Sequence, residues 1–146
     1  MKSNVKSIFI LLMMFSASVK STVVSADDAS PKYIEVLNAL QAGKNVKLLL
    51  DMSRCNPTEG GKPSSATLAG LAVSAFRVTV QNGISFSNAH QTVDNSGHAV
   101  TEFIRHSLSR EGKLTVRASK LVVGSNELVN QGEFTCEVPD GARFIW

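Results

Sequence analysis

His90, Glu102, His106 and Lys120 are the residues whose types and spacing could support chemistry. A carboxylate held between an imidazole and an ammonium can carry a proton-transfer pair. Two histidines and a glutamate are also an ordinary zinc ligand set. Whether they meet depends on strand register. The stretch AVTEFIRHSLSREGKLTVRASKL at Ala99–Leu121 reads as two strands folded back at Arg110-Glu111-Gly112-Lys113, with Gly112 supplying the positive φ of the turn. Placing Leu108 opposite Leu114 sets His106 against Val116, Ile104 against Ala118 and Glu102 against Lys120. Apolar residues then meet apolar ones and opposite charges pair, so two independent signals agree. A turn at Asp94–His98 centred on Ser96 adds a third strand, with Phe86 opposite His106, Asn88 opposite Ile104 and His90 opposite Glu102. The outcome is a row His90–Glu102–Lys120, with His106 on the same face two positions along.

Such a row also has a plainer use. Charge pairs on a sheet surface stabilise it by about 0.2–1 kcal/mol each and need no catalytic purpose. A metal site would require His90 and His106 to converge across two ladder steps. No catalytic residue, metal or cofactor is therefore expected. The chain has no glycine-rich phosphate loop, no G-x-S-x-G elbow, no H-E-x-x-H and no spaced metal-binding cysteines. Ser53, Ser64 and Ser65 lack a sequence-local base. Asp51 and Glu59 flank Cys55 without defining a hydrolase pair, and Lys44 and Lys47 suit a solvated face. With aromatic residues at 6% of the chain, no stacking platform for bases or sugars is expected.

The N-terminus speaks for export. Lys2 and Lys6 make a basic start, Ile8–Phe15 is an unbroken apolar run, and Val24-Ser25-Ala26 suits a signal peptidase. The run is too short for a permanent membrane span. Residues 1–26 are thus expected to be a signal peptide that is removed, and 27–146 one domain. The leader holds three of the fifteen basic residues and none of the acidic ones, so the remainder balances twelve of each. A basic footprint for nucleic acid or anionic membrane is absent. Cys55 and Cys136 both fall in the remainder, and an even pair in an exported chain reads as a disulfide. The competing possibility is two separate reactive or metal-binding thiols.

The elements around this centre are expected as follows. Ser30 caps a helix starting at Pro31, with Ile34, Leu37 and Leu40 on its buried face and Gly43 ending it. Asn45–Met52 is a strand burying Val46, Leu48, Leu50 and Met52. Ser53–Ser65 is a loop, and Ser64–Ser74 is either one helical turn or an edge strand. Ala75–Gln81 is a strand leading into a hairpin at Asn82-Gly83. A three-residue loop with a bulge would set Val80 opposite Phe86 and keep one apolar face. Val122–Asn130 is a connection, Gly132–Val138 the last strand, and Phe144-Ile145-Trp146 a tail docked on the core. Together these predict an α+β domain, one helix packed on an antiparallel meander of about six strands, curled toward a half-barrel and held by one disulfide.

Several stretches of the chain resemble the bacterial VirK family. They are LNALQAGKNVKLLLDMSRC at Leu37–Cys55, AFRVT at Ala75–Thr79, SFSNAH at Ser85–His90, VTEFIR at Val100–Arg105 and GEFTC at Gly132–Cys136. The resemblance implies a small exported protein of a host-associated bacterium, associated with virulence, and carries over no catalytic residue. The expected function is a non-enzymatic binding or interaction protein of the periplasm or medium, its partner an unidentified protein or an envelope or host component. Two alternatives stand beside it, a small hydrolase or metalloprotein using His90, Glu102 and His106, and a carrier of a small ligand.

Overall fold

The computed structural model describes residues 29–58, 68–81, 83–125 and 127–146. The expected leader, the stretch from Glu59 through Ser64 and Ser65, and Asn82 lie outside the described residues. Helix α1 (Pro31–Gln41) begins where Ser30 Oγ accepts from the Tyr33 N–H at 3.2 Å, and Gly43 leaves it with φ +68°. Both ends are as the sequence predicts. The buried face is different. It carries Tyr33, Val36, Ala39 and Leu40, with Leu37 partly covered, while Ile34 is exposed. The two stripes share Leu37 and Leu40 and differ by about one residue of rotation, which helical spacing alone does not separate.

Nine strands follow among the described residues, in two sheets. β1 (Lys47–Asp51), β3 (Leu68–Ala72) and β9 (Ala142–Ile145) form the small one, in the order β3–β1–β9. β2 (Asn56–Pro57), β4 (Arg77–Thr79), β5 (Gly83–Val93), β6 (Ala99–Leu108), β7 (Lys113–Val122) and β8 (Leu128–Glu137) form the large one, in the order β2–β8–β7–β6–β5–β4. The meander of the large sheet is antiparallel throughout and does not close into a barrel. The strands beyond the expected six are short, and short strands leave little periodic signal. Within the ambiguous stretch, the described residues Leu68–Ala72 form an edge strand. β9 takes up the C-terminal residues, so Phe144 packs on the core while Ile145 and Trp146 remain exposed, with Lys44 Nζ 5.5 Å from the Trp146 ring.

The central registers are as the sequence predicts, Leu108 against Leu114, Glu102 against Lys120 and His90 against Glu102. Other boundaries move. β8 starts at Leu128, because a bulge at Gln131 breaks the alternation that would have revealed it. The strand expected over Ala75–Gln81 shrinks to three residues, and Val78 lies opposite Ile84, not Val80 opposite Phe86. The common-face parity survives, but Phe76, Val78 and Val80 are exposed. Gly83 serves the other neighbouring strand, β6. It is buried at φ +65°, where a Cβ would lie 2.1 Å from the Leu108 carbonyl oxygen. The glycine serves a close strand approach at the start of β5 more than the turn itself.

One core joins the layers. Tyr33, Val36 and Leu40 of the helix, Val46, Leu48 and Leu50 of the small sheet, and Ile84, Phe86, Leu108, Leu114 and Val116 of the large sheet belong to it. The helix start is fixed to the β6–β7 turn by the Ser30 N–H donating to the Arg110 carbonyl at 2.7 Å. The long strands outrun this cover. Eleven residues of strand extend about 35 Å, and eleven of helix about 16 Å. The inner face of the large sheet is therefore apolar at its helix end and open to water at the other. Cys55 and Cys136 form the expected disulfide, both buried. Cys55 sits where the chain passes from β1 to β2, between the sheets. Cys136 sits where β8 is about to return the chain to β9.

Candidate functional site

The inner face of the large sheet is a ladder of rows that change from apolar to polar. Ile84, Leu108, Leu114 and Cys136 make the first, all fully buried. Phe86, His106, Val116 and Phe134 make the second, and Asn88, Ile104, Ala118 and Gly132 the third. His90, Glu102 and Lys120 fall in the fourth, at the uncovered end.

His90 Nε2 lies 2.7 Å from Glu102 Oε2, both side chains well exposed. Lys120 does not complete the triad by an ion pair. Its Nζ turns to Asp94 Oδ2 at 3.0 Å, in a pair largely shielded from water. Asp94 is the organising residue of the β5–β6 turn. Its Oδ1 accepts from the Ser96 and His98 N–H groups, each at 3.0 Å, the Asx-turn pattern that favours aspartate there. The His98 N–H, and then the Lys120 ammonium, hold the Asp94 carboxyl below its ordinary range. Lys120 is thus a brace between the turn and β7. Sequence register could pair it with Glu102 but could not show a turn residue reaching it.

His106 is apart from both pairs. It is 1% exposed, stacked on Phe86 with ring centroids 4.9 Å apart and planes 8° from parallel. Desolvation pushes its pKa down to about 4, so the ring is neutral near pH 7. Its Nδ1, like Asn88 Oδ1 in the next row, is buried without a hydrogen-bond partner among the described residues. His106 and the His90–Glu102 pair share a face but lie two ladder steps apart, one enclosed and the other in solvent. Among the described residues no three His, Cys, Asp or Glu side chains gather as a metal set. Elsewhere, Asp51 is occupied in capping the turn at Met52–Arg54, accepting from the Ser53 N–H at 3.2 Å and its hydroxyl at 2.5 Å.

Replacing Glu102 with glutamine is accordingly expected to lower stability by about 0.5 kcal/mol, since the pair it breaks is exposed, and to leave partner binding unchanged. Urea midpoints and binding measured on that variant check this. Lost binding at an unchanged midpoint would mean that the row acts directly on a ligand.

The opposite face of the sheet holds residues that the sequence reading passes over. Arg105 stands directly across from Arg117, beside Ser85, Ser107 and Thr115 of the adjoining row. The register that aligns Ile104 with Ala118 already implies this juxtaposition.

Comparison with other proteins places this architecture. A family model described as VirK protein matches residues 29–126. The chain belongs to the VirK family. The VirK match takes in the helix, the first seven strands and the His90–Glu102–Lys120 row. A protein named as uncharacterized in the pinF2 3′ region of Rhizobium radiobacter is 35% identical over 79 residues, 54% of each chain. The chain thus spans about half the length of that relative. The uncharacterized protein y4wH of Sinorhizobium fredii is 28% identical over 112 residues, 76% of this chain and 77% of that one. The crystal structure of lpg1832, a VirK family protein from Legionella pneumophila, superposes with a TM-score of 0.67 at 18% identity, covering 78% of this chain and 95% of that one. At that identity the likeness concerns the VirK fold alone.

Proposed function

We propose that this VirK protein is exported and acts in the periplasm or medium of a host-associated bacterium as a non-enzymatic binding module. The disulfide carries the export half of this reading. A bond between Cys55 and Cys136 persists in an oxidising compartment and is rare in a reducing cytosol, and the basic, apolar and small-residue order of the first 26 residues agrees with it. The disposition of the ionisable groups supports a binding role. His106 is sealed against Phe86, Lys120 braces Asp94, and His90–Glu102 is a surface pair. Each has a structural use already. Among the described residues no helix is long and apolar enough to cross a membrane.

Expression with the natural N-terminus tests the export half. The accumulated protein should begin at Asp27 and show no free thiol when unfolded without reductant. A cell-retained form beginning at Met1, with two reactive thiols, would overturn it. Capture of a partner from periplasm and from medium, with Glu102→Gln retaining that partner, tests the binding half.

A further inference from the structure

We propose that the outer face of the large sheet binds a small organic anion, a sugar-sized molecule carrying a carboxylate or phosphate group. This rests on the binding role above and names its site. The observation is a concentration of positive charge that carboxylates among the described residues neutralise only in part. Arg105 and Arg117 are directly opposed on neighbouring strands, where like charges destabilise a sheet. Glu133, across from Arg117 on β8, takes both the Nε and Nη2 of Arg117 on one oxygen. Arg105 has no carboxylate partner among the described residues, and neither has Arg77, which faces Ser85 in the next row. Three guanidiniums thus meet one carboxylate, in a chain whose charges from Asp27 onward balance.

Arg77, Arg105 and Arg117 all line one open cleft of about 600 Å³. That volume is within the range of small-molecule sites, about 300–1,000 Å³. The guanidinium fork matches the two oxygens of a carboxylate or the face of a phosphate, and it cannot lose its charge. Ser85, Ser87 and Ser107 place hydroxyls beside it, able both to donate to and accept from the hydroxyls of a sugar. Phe76, partly exposed at the edge of the same cleft, offers a flat apolar surface for a ring. Charge, hydroxyls and one aromatic edge in a cleft of this size describe an acidic monosaccharide or a sugar phosphate better than an extended polyanion. A polyanion needs a basic track running past the cleft, and the face beyond Arg105 turns to Ala89, Phe103 and Leu128.

Calorimetric titration of the purified protein at low salt with glucuronate, glucose 6-phosphate and glucose tests this. At least one of the two anions should bind saturably, and neutral glucose at least about tenfold more weakly. The tighter anion identifies the group recognised. Arg105→Gln should weaken that anion about tenfold while its thermal midpoint stays level or rises, because a like-charge pair is relieved. Glu133→Gln, which releases Arg117, should strengthen binding a few-fold. Should Arg105→Gln not fold, Arg77→Gln carries the same expectation from a strand edge. The proposal is overturned if neither anion saturates, or if the arginine variant binds as the parent does. Export, thiol content and partner capture are measured separately, so failure here leaves the broader reading intact.

Discussion

Replacing Cys55 and Cys136 together with alanine should remove about 3–4 kcal/mol of stability and lower the thermal midpoint by roughly 10–20 °C. The bond closes a loop of 81 residues. Chain-entropy reasoning assigns such a loop about 4.5 kcal/mol, and residual compactness of the unfolded chain trims that. Two further effects favour a large loss. Both sulfurs are buried in the common core. Gly141 is packed so closely that a Cβ there would lie 3.1 Å from Cys55 Sγ and 3.3 Å from Cys136 Cβ, so little room exists for rearrangement. Thermal unfolding of the double variant, beside the parent with and without reductant, is the measurement. The reduced parent should match the variant. A shift under about 5 °C would mean that the two sheets hold together without the link.

Stability should also fall as the solution is acidified from neutrality, and His106 should account for most of that fall down to pH 4. Its folded pKa is lowered to about 4 by burial, against about 6.5 in the unfolded chain. Between these values the unfolded chain binds the extra proton, so stability rises with pH. The contribution is complete above about pH 6.5 and is lost progressively on descending to about pH 4, some 3 kcal/mol in all. Asp94 acts lower. Its pKa is depressed from 3.8, so its contribution is present above that value and lost as pH falls through the folded one. The two windows therefore separate. His106→Phe keeps a flat ring against Phe86 and removes the titrating group. Urea midpoints from pH 7.5 to 4.5 should slope for the parent and be nearly level for the variant. Equal slopes would assign the effect elsewhere.

The long hairpins were legible because a strand's side chains alternate with period two, and one register satisfied both the apolar and the charged residues of Ala99–Leu121. The helix caps were legible because Ser30, Pro31 and Gly43 each do something local to the backbone. What escaped depended on contacts distant in sequence. The face of α1 is chosen by the core it meets, so Tyr33 and Val36 are buried where Ile34 was expected. β9 has four residues, too few for its alternation to stand out, and pairing with β1 makes it a strand. Within the candidate site the row itself was foreseeable. The partner of Lys120 was not, because Asp94 approaches from a turn outside the ladder. The burial of His106 follows from how far the helix and small sheet reach along the strands, which sequence spacing does not encode.

The placement of the disulfide also alters how far apart the chain ends are along the covalent path. In the open chain, pairing β1 with β9 brings Lys47 to Ile145, whereas each step of the meander joins neighbours across a short turn. Each doubling of a closed loop adds about 0.6 kcal/mol, so the β1–β9 closure carries some four doublings more than a hairpin. Once Cys55 is bonded to Cys136, the route from Asp51 to Ala142 runs through the sulfur bridge and spans only the few residues on either side. The longest-range pairing in the fold becomes as short as a turn. The β1–β9 pair is then, in connectivity, a hairpin whose bend is made of sulfur, and closing it costs correspondingly less chain entropy.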